Sequence, residues 1–262
     1  MTRKNIPQKM SKNDAGRLGA YARMRLHGNP GTIKGRRKGG LKSIETHKKM
    51  KTGFILRKAI HIPKPSEKLA EFIGIMLGDG HVGQYQASIT TNSQTDYEHA
   101  SYIKKTIRSL FATQSTLSRS RTNNSCTVVI SSRSICDFLK RQGLPQGNKV
   151  RDGVRIPNWI KKRSAYTRAC VRGLFDTDGS VYCDTHKVSG KEYKHLGIAF
   201  TNRNTDILSF YKESLVKFGL HPTQKTPYVV FLRRGAEIDI FFKVIGSSNR
   251  KHLRRYREFR KQ

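Results

Sequence analysis

The chain repeats itself, and this repeat constrains the fold more than any other feature of the sequence. "ITTNSQTD" (Ile89–Asp96) and "AFTNRNTD" (Ala199–Asp206) share the pattern T-N-x-x-T-D. Upstream of each, GDG (Gly78–Gly80) and TDG (Thr177–Gly179) follow an apolar, helix-like run. Self-similarity of this kind is the sequence signature of a duplicated structural unit. We therefore predict two halves with the same architecture.

Hydrophobic periodicity gives the same order of elements in each half. In the first half, Ser66 is a candidate N-cap before the apolar helical run 69–77, and an alternating, strand-like segment follows it. The order continues as helix, hairpin and helix, and then begins again. The two halves differ mainly in the polar segment Lys187–Lys194, which predicts an inserted loop of about 11 residues. The prediction is an α+β fold with duplicated αββαββα halves related by a pseudo-twofold axis.

Charge indicates the class of partner. The 52 Lys and Arg residues exceed the 18 Asp and Glu residues, which gives a net charge of +34. Such an excess repels itself in a compact state unless a polyanion neutralises it, and nucleic acid is the obvious polyanion. An anionic membrane surface is the weaker interpretation, and no apolar run is long enough to span a bilayer. The four cysteines lack zinc-site spacing and are interpreted as thiols of a reducing compartment.

Three segments are predicted from these features. Residues 1–61 form a basic N-terminal arm, 62–152 the first half, and 153–262 the second half with a basic C-terminal segment. Residues 1–60 carry 17 Lys and Arg against two acidic residues, a net of +15, and predict one short helix within "RLGAYARMRL". A disordered solubilising tail and an additional DNA contact are both compatible with this composition.

Two stretches resemble a known motif. "FIGIMLGDGHV" and "VRGLFDTDGSV" resemble the two copies of the LAGLIDADG motif of homing endonucleases, and the resemblance covers about residues 62–255. It implies the double-motif, monomeric type, whose antiparallel sheets form a saddle on double-stranded DNA. It also implies site-specific cleavage of both strands at a long pseudo-palindromic site with 3′ overhangs. The implied cofactor is Mg²⁺ (or Mn²⁺).

The residues of the motif agree with a shared metal site. Gly74 and Gly78 stand four positions apart, as do Gly173 and Thr177, so each pair presents a small-residue face on its helix. Two helices packed through these faces bring together Asp79 and Asp178. Carboxylates at two negatively polarised helix ends repel each other, and a divalent cation turns this repulsion into binding energy. We predict Asp79 and Asp178 as metal ligands and catalytic residues, with the preceding Gly78 and Thr177 included in the metal site.

The repeat and the resemblance together add four catalytic candidates. Asn92 and Asn202 stand at matching strand ends, where a polar residue of the family contacts metal-bound water; an Asx turn is the structural alternative. Lys149 and Lys251 match the basic residue that the family places near the scissile phosphate, although a chain this basic supplies lysines by chance. Asp176, which matches the apolar Leu77, is interpreted as architectural.

Polar residues along the predicted strands are candidate DNA contacts. The outer sheet faces would line the major groove, although each residue could equally belong to an ordinary solvated strand face. The candidates are Gln84, Gln86, Ser88, Thr90, Arg119, Arg121, Arg133, Tyr182, Lys194 and Arg233.

Other functions remain open from the sequence. An RNA maturase that assists intron splicing, or a DNA-binding regulatory relative, would keep the basic saddle without needing both aspartates. A basic scaffold associated with the ribosome would not explain the duplicated Asp-Gly pair. The expected location is the cytoplasm or nucleoid, with an organelle left open, because the N-terminus lacks an apolar secretory core.

Overall fold

The chain forms two compact units, Met1–Leu56 and Arg57–Gln262. The computed structural model describes residues 10–29, 31–50, 59–147, 149 and 153–261. The predicted boundary between the halves, at residue 152, lies outside the described residues.

The first unit consists of two helices, where the sequence predicts one. α1 (Lys12–His27) begins at the N-cap Ser11, whose hydroxyl accepts a hydrogen bond from the Asp14 amide. α2 (Ile33–Met50) contains the segment "GRRKGG", which weak apolar periodicity leaves without a prediction. Neither helix buries a residue, so no apolar stripe marks these helices in the sequence.

The second unit confirms the predicted duplication. The elements of the first half are α3 (Glu67–Gly78), β1 (Gly80–Val82), β2 (Gln86–Asn92), α4 (Tyr97–Phe111), β3 (Thr116–Arg119), β4 (Ser125–Ser131) and α5 (Arg133–Arg141). Those of the second half are α6 (Asn158–Lys161), α7 (Ser164–Asp178), β5 (Gly179–Val188), β6 (Lys191–Thr201), α8 (Thr205–Lys217), β7 (Thr223–Thr226), β8 (Val229–Leu232), α9 (Gly235–Val244) and α10 (Arg250–Arg260). Both sheets are antiparallel, in the orders β1-β2-β4-β3 and β5-β6-β8-β7.

The two motif helices, α3 and α7, pack against each other. α3 begins at the predicted N-cap Ser66, whose side chain accepts a hydrogen bond from the Leu69 amide. Every residue from Leu69 to Leu77 is buried, as in a helix that is covered on all sides. α3 therefore contributes to the core of its own half and to the contact between the halves.

Glycines make the contact between α3 and α7 close. A Cβ on Gly74 would collide with the Cys170 carbonyl and stand 3.0 Å from the Leu174 nitrogen. A Cβ on Gly173 would collide with the Glu71 carbonyl and stand 2.9 Å from the Ile75 nitrogen. The two glycines thus occupy equivalent places on the two helices, which confirms the predicted small-residue faces.

The segment Lys187–Lys194 is not an inserted loop. β5 and β6 continue through it and pair as far as Val188 and Lys191. The chain reverses at Ser189 and Gly190, which have φ angles of +49° and +78°. Two left-handed residues in a two-residue connection match the twist of a hairpin. The extra residues of the second half therefore lengthen a β-ribbon.

No described helix combines the length and the apolar character needed to cross a membrane.

Candidate active site

Asp79 and Asp178 lie at the adjoining C-terminal ends of α3 and α7. Asp79 is the C-cap of α3, and its amide donates to the Ile75 carbonyl at 3.1 Å. Asp178 is the last residue of α7. Its Oδ2 atom lies 3.1 Å from the point where a Cβ on Gly78 would stand. The structure therefore brings the two predicted metal ligands together at the contact between the halves.

The environment disfavours the ionised forms of both aspartates. Burial, with repulsion from Asp178 as the next cause, raises the pKa of Asp79 to about 7. Burial raises the pKa of Asp178 to about 6, against the opposing effects of Asn202 and Lys149. Carboxylates that face each other at the negative ends of two helices gain from a positive ligand.

Lys149 supplies part of that positive charge. Its ammonium group donates to the last carbonyls of α3, at 3.1 Å from Met76 O and 2.9 Å from Leu77 O, and also to Gly78 O. Burial lowers the pKa of Lys149, and the charges of Asp178 and Asp79 oppose this effect. Lys149 thus caps α3 within the electrostatic reach of both carboxylates.

The two asparagines of the repeat make different contacts. Asn202 donates from Nδ2 to Asp178 Oδ2 at 2.8 Å, and its Oδ1 accepts from the Asn204 amide at 2.8 Å. Asn92 instead closes a turn, since its Oδ1 accepts from the amides of Gln94 and Thr95 at 2.9 and 3.0 Å. The structure brings Asn202 to a predicted ligand and gives Asn92 the Asx-turn role.

Like the two asparagines, the matching lysines Lys251 and Lys149 make different contacts. The ammonium group of Lys251 lies 2.8 Å from Asp96 Oδ1, and Asn249 Nδ2 donates to the same oxygen at 2.6 Å. Burial opposes ionisation of Asp96, but hydrogen bonds from Lys251, Asn249 and Thr95 hold its pKa below the usual value. Asp96 is a member of the site that sequence reasoning missed, because the matching Asp206 is exposed and the repeat marks both equally.

A cavity of about 390 Å³ opens beside Asp79. Its lining is polar, and it reaches from the end of α7 to the start of α10. The lining residues are Asp79, Thr90, Thr91, Asn92, Asp96, Asn124, Ser125, Asp176, Thr177 and Lys251.

Asp176 is held by the segment before α10. Its carboxylate accepts hydrogen bonds from the Ser247 hydroxyl and, at 2.9 Å, from the Ser248 amide. Burial raises the pKa of Asp176 to about 7. Ser248 also donates to Glu71 at 2.6 Å, and Arg172 pairs with Glu71 at 2.7 Å. Asp176 therefore fixes α10 to the contact between the halves.

Gly78 and Thr177 pack against each other at the contact. A Cβ on Gly78 would collide with the Thr177 hydroxyl, which itself donates to the Leu174 carbonyl at 2.9 Å. The Gly78 carbonyl accepts from Lys149. The contacts of these two residues are thus packing and helix capping.

The donors at the site fit a hard divalent cation. Asp79 and Asp178 offer carboxylate oxygens only, and both are partly exposed. Among the described residues, no three His, Cys, Asp or Glu side chains are grouped as a ready metal cage. Mg²⁺ commonly binds through one or two carboxylates and takes its other ligands from water and phosphate. The pair therefore matches Mg²⁺ or Mn²⁺ better than a soft metal such as zinc.

Five of the candidate DNA contacts lie on open sheet faces. Gln86, Ser88 and Thr90 alternate along β2 with the buried Ala87 and Ile89. Tyr182 projects from the other sheet and its ring lies across Gly197. Arg233 follows β8 and stacks on Phe231, with 4.7 Å between guanidinium and ring centroid.

The other five lie elsewhere. Arg119 and Lys194 share the helix-facing side of their sheets, because they have the strand parity of the inward Leu117 and Leu196. Arg119 stacks on Tyr97 at 4.1 Å, and Lys194 lines a cavity with Arg255 of α10. The remaining three are exposed on connecting segments or at the start of α5, and they are Gln84, Arg121 and Arg133.

The long β-ribbon carries further candidates on its open side. His186 and His195 stack at 4.7 Å between ring centroids, and Tyr193 stacks on His186 at 5.9 Å. All three side chains are exposed. Alternation along "THKVSGKEYKH" was the available signal, and interpreting the segment as a loop concealed it.

Two histidines buried beside the site predict destabilisation by acid. Burial lowers the pKa of His99 to about 4 and that of His252 to about 3, against an ordinary value of 6.5. Below pH 6.5 the unfolded chain therefore binds protons that the folded chain does not, and the free energy of unfolding falls by up to about 1.4 kcal/mol per pH unit and histidine. The raised pKa values of Asp79, Asp176 and Asp178 act in the opposite direction, so a variant must isolate the effect.

His252→Phe provides that comparison. Its stability relative to wild type should improve steadily as the pH falls from 7 to about 4, measured by urea unfolding at each pH. A difference that stays constant over this range would contradict the prediction.

Comparison with known families finds a match for the second half of this fold. The family model described as "LAGLIDADG-like domain" matches residues 165–258, which include the end of α7 with Asp178. This part of the chain therefore resembles a LAGLIDADG-like domain. Residues 67–141 form the other half of the duplicated fold, which contains Asp79.

Solved structures of similar fold cover about three quarters of this chain. A point mutant of I-SmaMI superimposes with a TM-score of 0.52 at 11% identity, over 73% of this chain and 89% of that one. The structure named "Meganuclease I-SmaMI Bound to Uncleaveable DNA with a TTGT Central Four" gives a TM-score of 0.50 at 11% identity, over 77% and 89% of the two chains. At such low identity the likeness shows the fold alone.

A curated relative matches part of this chain in sequence. The tRNA-splicing ligase RtcB of Methanopyrus kandleri is 28% identical over 164 residues. The match covers 57% of this chain but only 16% of the ligase. The name of the ligase therefore describes a much longer protein.

Proposed function

We propose that the protein is a site-specific DNA endonuclease that cuts both strands of a long, pseudo-palindromic site with Mg²⁺ or Mn²⁺. One observation carries the proposal: the repeat places Asp79 and Asp178 together at the ends of two packed helices, in a chain with a net charge of +34. The charge recruits a polyanion, and the carboxylate pair gives a metal ion a place to bind.

The two sheets support duplex DNA as the substrate. Their open faces carry polar and aromatic side chains, and a β-ribbon fits the major groove. The second half has a longer ribbon than the first, since β5 and β6 contain 10 and 11 residues and β1 contains three. Both halves belong to one chain, so a monomer suffices. We expect its contacts to extend farther along one half-site than along the other.

The side chains have distinct tasks in this reaction. Asp79 and Asp178 would hold the metal, and Gly78 and Thr177 let the two helix ends approach. A divalent metal ion held there would supply Lewis-acid chemistry, by polarising the phosphodiester and activating water. Lys149 offsets negative charge at the end of α3, and Asn202 fixes the orientation of the Asp178 carboxylate. Lys251 lines the same cavity as Asp79 and is held by Asp96.

A binding-only function is the alternative. An RNA maturase or a DNA-binding regulator on this fold would use the basic surface and would not need two carboxylates at the contact between α3 and α7. The cost of placing both carboxylates there, seen in the raised pKa values of Asp79 and Asp178, favours cleavage.

Cleavage of a randomised duplex library tests the proposal. With Mg²⁺ we expect sequencing of the cut ends to recover one long motif with two related half-sites and staggered ends. The same incubation in EDTA is the control and should yield no cut ends. Random fragmentation, or an uncut library that the protein nevertheless binds, would contradict the proposed activity.

A further inference from the structure

The two-helix unit of residues 10–50 contains a cationic groove that the proposed cleavage does not use. The groove runs between α1 and α2 and has a volume of about 1120 Å³. Its polar side chains come from both helices and from the connection between them: Arg23, His27, Asn29, Lys38, Lys42, Ser43 and Thr46. No acidic residue is among the described residues that line it.

The charge of the unit is far from balanced. Residues 10–50 contain 11 Lys and Arg and two acidic residues, a net of +9. Asp14 is occupied at the start of α1, where it accepts from the Ser11 hydroxyl at 2.6 Å. Glu45 is exposed and does not line the groove. The complementary ligand is therefore a polyanion.

Glycines and apolar side chains complete the lining of the groove. Its floor includes Gly16, Gly19 and Gly39, and a Cβ at any of them would meet nothing within 4 Å. Glycine weakens a helix relative to alanine, and packing against the described residues does not require it at these positions. The lining also contains the exposed apolar residues Met24 and Leu26, so the groove combines cationic groups with apolar surface.

We propose that this groove binds the phosphate backbone of duplex DNA, as a contact in addition to those of the sheets. Arg23, Lys38 and Lys42 are the phosphate-binding residues. Lys38 and Lys42 stand one helical turn apart on α2, so both ammonium groups project to the same side. Contacts of this kind add affinity without sequence preference. The choice of duplex DNA as the polyanion rests on the proposed function.

Salt dependence of binding tests the groove in the full chain. The triple variant Arg23→Gln, Lys38→Gln, Lys42→Gln is compared with wild type on a long duplex of mixed sequence. Each lost phosphate contact makes the slope of log affinity against log salt shallower by about 1, so we expect a change of about 3. The matched control removes the same charge outside the groove, by Lys12→Gln, Lys34→Gln and Lys49→Gln, and its slope should change by less than about 1.

Other outcomes would overturn the assignment. Equal slopes for the groove variant and wild type would do so, as would equal losses in the groove and control variants. A groove variant that keeps its duplex affinity and loses affinity for single-stranded RNA would assign the groove to RNA instead. Far-ultraviolet circular dichroism checks that α1 and α2 persist in both variants. The probe needs no cleavage site, so a failure of this proposal is distinguishable from a failure of the proposed endonuclease activity.

Discussion

Asp79→Asn and Asp178→Asn should each abolish double-strand cleavage and leave DNA affinity close to that of wild type. Asparagine keeps the shape of the side chain but removes the charge that would hold a cation at the helix ends. Metal assistance contributes several kcal/mol to phosphodiester hydrolysis, so we expect a loss of about a thousand-fold or more in rate. DNA affinity should change little, because the loss of one carboxylate changes a net charge of +34 by a single unit.

In the absence of metal ions, both variants should be more stable than the wild type. The folded pKa of Asp79 is raised to about 7, so its ionised carboxylate destabilises the fold increasingly as the pH rises from about 4 through 7. At pH 8 in EDTA, Asp79→Asn should gain on the order of 2 kcal/mol in the free energy of unfolding, with solvent screening taken into account. Saturating Mg²⁺ should narrow the difference, because it stabilises only the wild type.

Cleavage of a plasmid carrying the selected site, together with urea unfolding, measures both effects. Asp206→Asn is the matched control, since Asp206 is exposed and lies outside the site. It should cut like wild type and show no gain in stability at pH 8. Wild-type cleavage rates in both site variants would refute the metal-binding role of the aspartates. Loss of cleavage with an equal loss of affinity would indicate a binding role instead.

Sequence reasoning succeeded where the duplication constrained it. Two copies of an Asp-Gly pair after helical runs sufficed to predict that Asp79 and Asp178 meet, since a repeat with a twofold contact brings equivalent residues together. The small faces at Gly74 and Gly173 followed from the same logic, because close helix packing depends on local side-chain size.

The repeat could not predict how the halves differ. Lys149 caps α3 while Lys251 pairs with Asp96, and the two matching lysines give no sign of this in the sequence. Each lysine responds to neighbours from the other half or from loops, which only tertiary packing brings near. The sheet face predicted for Arg119 and Lys194 was wrong for another reason: the sequence pattern of a strand of uncertain register does not tell its two faces apart.

The asymmetry bears on how the two strands would be cut. Asp178 accepts a hydrogen bond from Asn202, and no described asparagine donates to Asp79, which lines a cavity together with the Asp96–Lys251 pair. The two carboxylates thus share one contact but differ in charge and in hydrogen bonding. If each half of the protein cuts one DNA strand, we expect the two cuts to proceed at unequal rates.

The closeness of α3 and α7 gives the second large prediction. Gly173→Ala should destabilise the protein, although alanine ordinarily favours a helix over glycine by about 0.5–1 kcal/mol. The added Cβ would collide with the Glu71 carbonyl, which is main chain and cannot rotate away. The helices must separate, and overpacking of this kind costs about 1–3 kcal/mol. Gly74→Ala should behave alike, because its Cβ would meet the Cys170 carbonyl.

Cleavage should suffer beyond the loss of stability. Asp178 lies five residues after Gly173 on the same helix, so a shift at the contact moves one carboxylate relative to the other. A displacement of about 1 Å in a catalytic geometry can lower the rate about a hundred-fold. Gly235→Ala at the start of α9 is the matched control, since its Cβ would meet only Arg260 Nη2 at 3.9 Å. Thermal unfolding and cleavage below the melting temperature separate the two effects, and a Gly173→Ala variant as stable and active as this control would show that the helices do not need glycine at their contact.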